Sequence, residues 1–238
     1  MKKRTTLLKL SLIALFSIIS NVAFSATYYV CQGSTLNLAP AAMTDITYSW
    51  DVKQGGTSLP GYPRAAVPTT LPAAGTYEVI LISSTTNPNI CAPDVVSNDF
   101  IVLPTLSITL DAPTNPTYCG VSTGIKSSLV GQTTVGFPAG VPYDTDIEAE
   151  YSYSVVKDSE PAADGLGFGT IDATGKYTLT TTTPGVYKIT GTVKYKQKTG
   201  ATGTLLSASG CPASSTTSVQ TITVTDKPAQ PVITISAN

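Results

Sequence analysis

Four cysteines and a short run of alternating carboxylates are the residues whose types and spacing could do chemistry in this 238-residue sequence. Asp144, Asp146, Glu148 and Glu150 recur at period two, which on a strand puts them on one face, about 7 Å from one to the next. A glycosidase could use such a pair, but it needs a cleft and one desolvated acid. Calcium could use Asp144, Asp146 and Glu148 if the segment curled enough for their oxygens to converge. A straight strand would instead leave the acids as a solvated, charge-decorated face, and these three residues stand only as weak metal candidates. Ser154-Val155-Val156-Lys157 matches the S-x-x-K pattern of penicillin-binding enzymes, yet it falls on an expected strand and lacks the companion motifs. The chain has no histidine, which removes the commonest general base and every Ser–His or Cys–His pair. No catalytic residue, enzymatic activity or cofactor is expected.

Cys31, Cys91, Cys119 and Cys211 form an even set with no C-x-x-C spacing, so disulfides are a better reading than zinc. Three pairings are possible. Closure of each half of the chain on itself favours Cys31–Cys91 and Cys119–Cys211, each contributing roughly 4 to 5 kcal/mol on the chain-entropy model.

The elements that must carry these residues are strands. From Gly185 to Lys196, Tyr187, Ile189, Val193 and Tyr195 alternate with Lys188, Thr190, Thr192, Lys194 and Lys196, the pattern of a half-buried strand. Ala74-Gly75-Thr76-Tyr77-Glu78-Val79 opens in the same way, and each copy is followed by a cysteine and preceded by an aromatic strand. Ile46 to Val52 is that preceding strand in the first copy, with Trp50, the only tryptophan, on the face of Ile46, Tyr48 and Val52. In the second copy Tyr151-Ser152-Tyr153 stands where Tyr48-Ser49-Trp50 stood. Trp50, Tyr77, Tyr153 and Tyr187 are therefore the expected structural core. Leu36 and Leu38 suggest a further strand, and the four prolines between Leu59 and Pro72 an irregular edge.

The first residues, Met1-Lys2-Lys3-Arg4 with an apolar run from Leu10 to Ile19 and small residues at Ala23 and Ser25, form a secretory signal too short to span a membrane. Removing residues 1–25 leaves ten basic residues against 15 acidic ones, a net charge of about −5 that argues against nucleic acid as a partner. The expected organisation is an all-β chain of two β-sandwiches in tandem, 27–104 and 105–226, followed by a linker and the first strand of a further module over 227–238. No membrane span is expected after signal cleavage.

Cys31-Gln32-Gly33-Ser34-Thr35-Leu36-Asn37-Leu38, Tyr48-Ser49-Trp50, Ala74-Gly75-Thr76-Tyr77-Glu78-Val79 and the second cysteine together resemble the immunoglobulin-like repeats of Bacteroidota surface proteins. The resemblance covers residues 31–103. It implies an immunoglobulin-like sandwich, with Trp50 and Tyr77 in the roles of the buried Trp and the corner Tyr. It also implies a non-catalytic stalk or adhesin segment at the cell surface, export by the type IX route and a link to gliding. Expected partners are other modules of the same chain, surface-complex proteins and glycans. The alternatives are glycan-binding or accessory modules of a secreted carbohydrate-active enzyme, with Tyr28, Tyr29 and Tyr62 as candidate aromatics, or a structural subunit of an outer-membrane assembly.

Overall fold

The computed structural model describes residues 25–120, 124–137, 143–233 and 235, and the chain divides into two compact units between Val102 and Leu103. The expected signal segment lies outside the described residues up to its last member, Ser25.

In unit 1 the alternating stretches become β1 (Thr27–Cys31), β2 (Ile46–Gln54), the short β3 (Thr57–Ser58), β4 (Gly75–Thr85) and β5 (Val96–Leu103). They form one sheet in the order β1-β5-β4-β2-β3, with Trp50 opposite Leu81 and Tyr77 opposite Phe100. One face of this sheet presents Val30, Trp50, Val52, Tyr77, Val79, Phe100 and Val102 to a covering layer of Leu36 and Leu71, helped by Leu38, Leu59 and Val67. That layer is not a regular sheet. Its two extended segments are tied by Leu36 N donating to Thr69 O at 2.7 Å, and the 59–73 segment docks on β2 through Trp50 and Arg64, at 2.7 and 2.9 Å. Prolines lack the N–H a ladder needs, so this proline-rich layer stays irregular. The opposite face is covered as well: Ile80 is only 7 % exposed and Ile101 2 %.

Unit 2 contains β6 (Ser107–Leu110), β7 (Thr117–Cys119), β8 (Ser128–Val130), β9 (Gln132–Val135), β10 (Ile147–Lys157), β11 (Ala163–Asp164), β12 (Gly169–Ile171), β13 (Tyr177–Leu179), β14 (Gly185–Gln197), β15 (Thr204–Leu205), β16 (Ala213–Ser214) and β17 (Gln220–Thr225). One layer is β11-β10-β14-β17-β7, with β17 and β7 parallel. Against it lie β12-β13-β8 and the pair β6-β9. Tyr153 of the first layer stacks on Tyr177 of the second, centroids 4.8 Å apart. On β14 every second residue from Tyr187 to Tyr195 is buried. Gly191 sits in that series because a Cβ there would come within 2.9 Å of Leu110 Cδ2 and 3.2 Å of Ile108 Cδ1. β6 thus lies directly on the middle of β14.

Both units share one local device. Tyr77 donates its hydroxyl to Ala73 O at 3.0 Å, and Tyr187 donates to Thr183 O at 2.7 Å. In each case the acceptor lies four residues upstream, the geometry of the tyrosine corner in immunoglobulin-like sandwiches. Each corner is entered through a glycine with φ near +150°, Gly75 and Gly185, a conformation that side-chain-bearing residues rarely take.

The cysteine pairing within halves is corrected by the structure. Cys31 and Cys211 are disulfide-bonded, whereas Cys91 and Cys119 are thiols. Ala26 is hydrogen-bonded to Asn98 and Asp99, and Tyr28 lies against Phe100. β1 therefore advances toward the Leu103 end of β5 and carries Cys31 away from Cys91, which is exposed on the 86–95 loop. Cys119 stands opposite Thr225, past the Gly185 end of β14, and its Sγ faces Asp226 O at 3.7 Å. Cys211 follows Gly210, whose carbonyl accepts from Tyr195 N toward the other end of that strand. The intervening strand spans roughly 30 Å, where a disulfide tolerates about 7 Å between Cα atoms. Non-reducing peptide mapping should recover Cys31 and Cys211 only as cystine, and Cys91 and Cys119 as alkylated thiols. A cystine containing Cys91 would overturn this assignment.

Candidate functional site

The alternating acids and lysines meet across β10 and β14. The antiparallel register places Glu148 opposite Lys196 and Glu150 opposite Lys194. Lys194 Nζ lies 2.8 Å from Glu150, and Lys196 Nζ lies 3.2 Å from Glu150 and 3.6 Å from Glu148. Lys194 first, then Lys196, hold the Glu150 carboxyl below its usual value, and Glu150 in turn holds the Lys196 ammonium above its own. These side chains are wet, so the ladder contributes little to stability, and it opposes only the two-residue slip that would set Glu150 opposite Thr192, since the other slip would still set Glu148 and Glu150 opposite Lys198 and Lys196. Glu150→Gln should cost about 0.5 kcal/mol or less at neutral pH. Because the folded-state value is lowered, that contribution is present above the carboxylate's ordinary 4.5 and is lost as pH falls through the folded value. Chemical denaturation at neutral pH, at acid pH and in high salt should show the wild-type advantage only in the first. An advantage that persists in acid would contradict the ladder's role.

Asp146 does not share this face. The chain enters β10 through a single helical turn (Tyr143–Asp146), which breaks the period-two pattern and turns the Asp146 carboxylate inward. It accepts from Thr202 N at 3.1 Å and Gly203 N at 2.9 Å, and from the Thr202 hydroxyl. Asp146 thus clamps the 198–203 loop, whose Lys198 N donates to Asp146 O at 2.8 Å. The side chain of Asp144 lies outside the described residues. Of the other two calcium candidates, Asp146 is committed to a loop and Glu148 to Lys196. Among the described residues no cluster of three potential metal ligands occurs.

Ser154 and Lys157 lie on β10, with Ser154 opposite Asp164 and Lys157 Nζ 3.2 Å from Asp158 and 3.6 Å from Glu160. The Asp158 carboxyl is held low by the Val186 N–H and then by Lys157. This cluster pins the end of β10 to the start of β14. A Cβ at Gly185 would come within 2.9 Å of Asp158 Oδ2.

The expected core aromatics are placed as follows. Trp50 is 6 % exposed, within the unit 1 core. Tyr77 and Tyr187 form the two corners. Tyr153 donates to Gly175 O at 2.6 Å beneath Tyr177, whose hydroxyl reaches Gly165 O at 2.7 Å. The candidate glycan-stacking aromatics do not form a row: Tyr29 is fully buried, Tyr28 packs on Phe100, and Tyr62 lies under the Arg64 guanidinium at 4.4 Å.

One recess escaped sequence reasoning. In unit 1 a groove of about 230 Å³ opens between the 37–40 segment and Trp50, Leu81, Val96 and Phe100. It exists because the irregular covering layer leaves that end of the sheet uncovered, and only its Asn37 and Asn98 rims are polar. No sequence pattern marks it, since it is made by what the second layer fails to cover.

Layered sheets in unit 2, a buried Trp in unit 1 and a tyrosine corner in each unit define an immunoglobulin-like, all-β class of protein. No protein-family model matches the chain, and no curated protein matches it. Among solved structures it is similar to the three N-terminal domains of the highly immunogenic outer capsid protein (Hoc) of bacteriophage RB49, with a TM-score of 0.51 at 12 % identity over 84 % of this chain and 67 % of that one. The fibronectin(III)-like modules of Clostridium thermocellum CbhA give 0.35 at 13 % identity, over 89 % and 98 % of the two chains. The N-terminal four Ig domains of Dscam1 isoform 8.4 give 0.27 at 13 %, over 87 % and 45 %. The likeness to Hoc is one of fold alone.

Proposed function

We propose that the chain is a non-catalytic segment of an exported surface protein, a stalk or adhesin built from immunoglobulin-like units and used for cell-surface attachment. The observation that carries this reading is the repeated corner, Gly75-Thr76-Tyr77 and Gly185-Val186-Tyr187, which marks the two units as copies of one structural module. Supporting it are a disulfide-bonded pair of cysteines, the absence of histidine from the sequence, and carboxylates that pair with lysines or clamp loops. No helix among the described residues is long and apolar enough to cross a membrane. The sequence resemblance extends the proposal to a Bacteroidota-type surface, export by the type IX route and a part in gliding. Labelling intact cells that produce the chain with an antibody against it tests the proposal. Surface labelling, together with weaker attachment when the chain is deleted, is expected. Labelling only after lysis would refute surface display, and hydrolysis of a glycan by the purified chain would refute the non-catalytic reading.

A further inference from the structure

We infer that the 231–235 segment of one copy of this chain adds as a strand to the open edge of β10 in a second copy. Among the described residues, β10 is covered on its outer side by β11 only at Ser154 and Val155. Lys198 N donates to Asp146 O, so in the alternating antiparallel pattern the even-numbered residues bond across to β14, and the backbone groups of Ile147, Ala149 and Tyr151 point to the open side. Unpaired N–H and C=O groups in a row form a template for another strand. The same chain carries the complementary element. Val232, Ile233 and Ile235 are 91, 82 and 89 % exposed, no ladder includes them, and the sequence around them is β-branched. From Pro228 to Ser236 the segment has no charge, so Glu148 and Glu150 do not repel it. Docked beside β10, Ile233 and Ile235 would lie on the side of half-buried Ala149 and Tyr151 and extend the apolar layer.

Reach decides that the occupant comes from another copy. Thr225 stands past the Gly185 end of β14, while Ala149 is opposite Tyr195 near the other end. The separation is roughly 30 Å along the strands and about 14 Å across three interstrand steps. The residues from Thr225 to Ile233 span at most about 28 Å fully extended. A chain therefore cannot complete its own edge, and donor and acceptor sit on different patches, the condition for head-to-tail assembly. This inference stands whether or not the chain works at a cell surface.

Sedimentation velocity of the chain without its signal segment, over a range of concentrations, tests it together with hydrogen exchange. Concentration-dependent assembly is expected, with slowed exchange at the Ala149 and Tyr151 amides and competition by a synthetic peptide spanning residues 227–238. Ile233→Asp combined with Ile235→Asp should raise the apparent dissociation constant about tenfold or more. Ala149→Pro should do the same, because it removes an outward N–H and no ladder bond. Should Ala149→Pro fail to fold, protection of the wild-type Ala149 and Tyr151 amides by the peptide decides instead. A chain that stays monomeric and gains no protection from the peptide overturns the inference. So does assembly that survives Ala149→Pro, which would seat the segment elsewhere, such as the groove beside Trp50.

Discussion

Truncating Trp50 to alanine should lower the stability of unit 1 by about 3 to 5 kcal/mol, the range for deleting a large buried aromatic. The side chain is 6 % exposed among Val52, Tyr77, Val79 and Phe100, and its backbone holds the 59–73 segment through Arg64. As the only tryptophan, Trp50 reports on unit 1 alone: its emission should be blue-shifted and resistant to iodide until that unit melts. Free quenching in the native state would show that the side chain faces solvent.

Tyr153→Ala should be comparably costly to unit 2, about 3 to 5 kcal/mol, because Tyr153 spans both layers. Its ring stacks on Tyr177, and its hydroxyl holds the carbonyl of Gly175 in the turn between β12 and β13. Tyr153→Phe isolates the second contribution and should cost about 1 to 3 kcal/mol, since the Gly175 carbonyl is left buried without its donor. Near-ultraviolet dichroism of the tyrosines would follow both variants. If alanine and phenylalanine behaved alike, the ring contact would contribute nothing. Alkaline titration gives a related signature. Burial raises the phenols of Tyr153 and Tyr177, and it pushes Tyr118 up to about 12, with Tyr187 adding to the effect. A raised folded-state value stabilises fully below the ordinary 10.0, and that stability is lost as pH climbs through 10.0 toward the folded values. Unit 2 should therefore weaken above that pH, and these three phenols should ionise late or together with unfolding.

The strands were legible wherever one face is buried and the other wet. Tyr187, Ile189, Val193 and Tyr195 mark β14 unambiguously, and the lysines between them, matched to Glu148 and Glu150, specify which strand lies beside it. Where burial does not alternate, the sequence misleads. Leu36 and Leu38 read as a strand, but the proline-rich segment opposite cannot return a ladder, and the pair covers the core from an irregular layer. Asp146 keeps the spacing of the acids yet leaves their face, because one helical turn before β10 rotates it by a step that period-two counting ignores. Cysteine count implied disulfides but not which sulfurs approach, since that depends on strand lengths and directions that no local pattern contains. The groove beside Trp50 and the open edge of β10 are likewise properties of what is missing from a layer.

The parallel pairing of β7 with β17 has a mechanical consequence. Thr117, Tyr118 and Cys119 lie beside Thr223, Val224 and Thr225, one strand near the start of unit 2 and the other at its end. Tension applied between the two ends of unit 2 itself draws these strands past one another rather than apart, so Thr223 N–H to Pro116 O and Gly120 N–H to Thr225 O carry the load together. Bonds loaded in shear must fail at once, whereas those of an antiparallel hairpin pulled from its open end fail one by one. Resistance to pulling is governed by the rate of unfolding rather than by its equilibrium. Unit 2 is thus braced against tension applied between its own two ends.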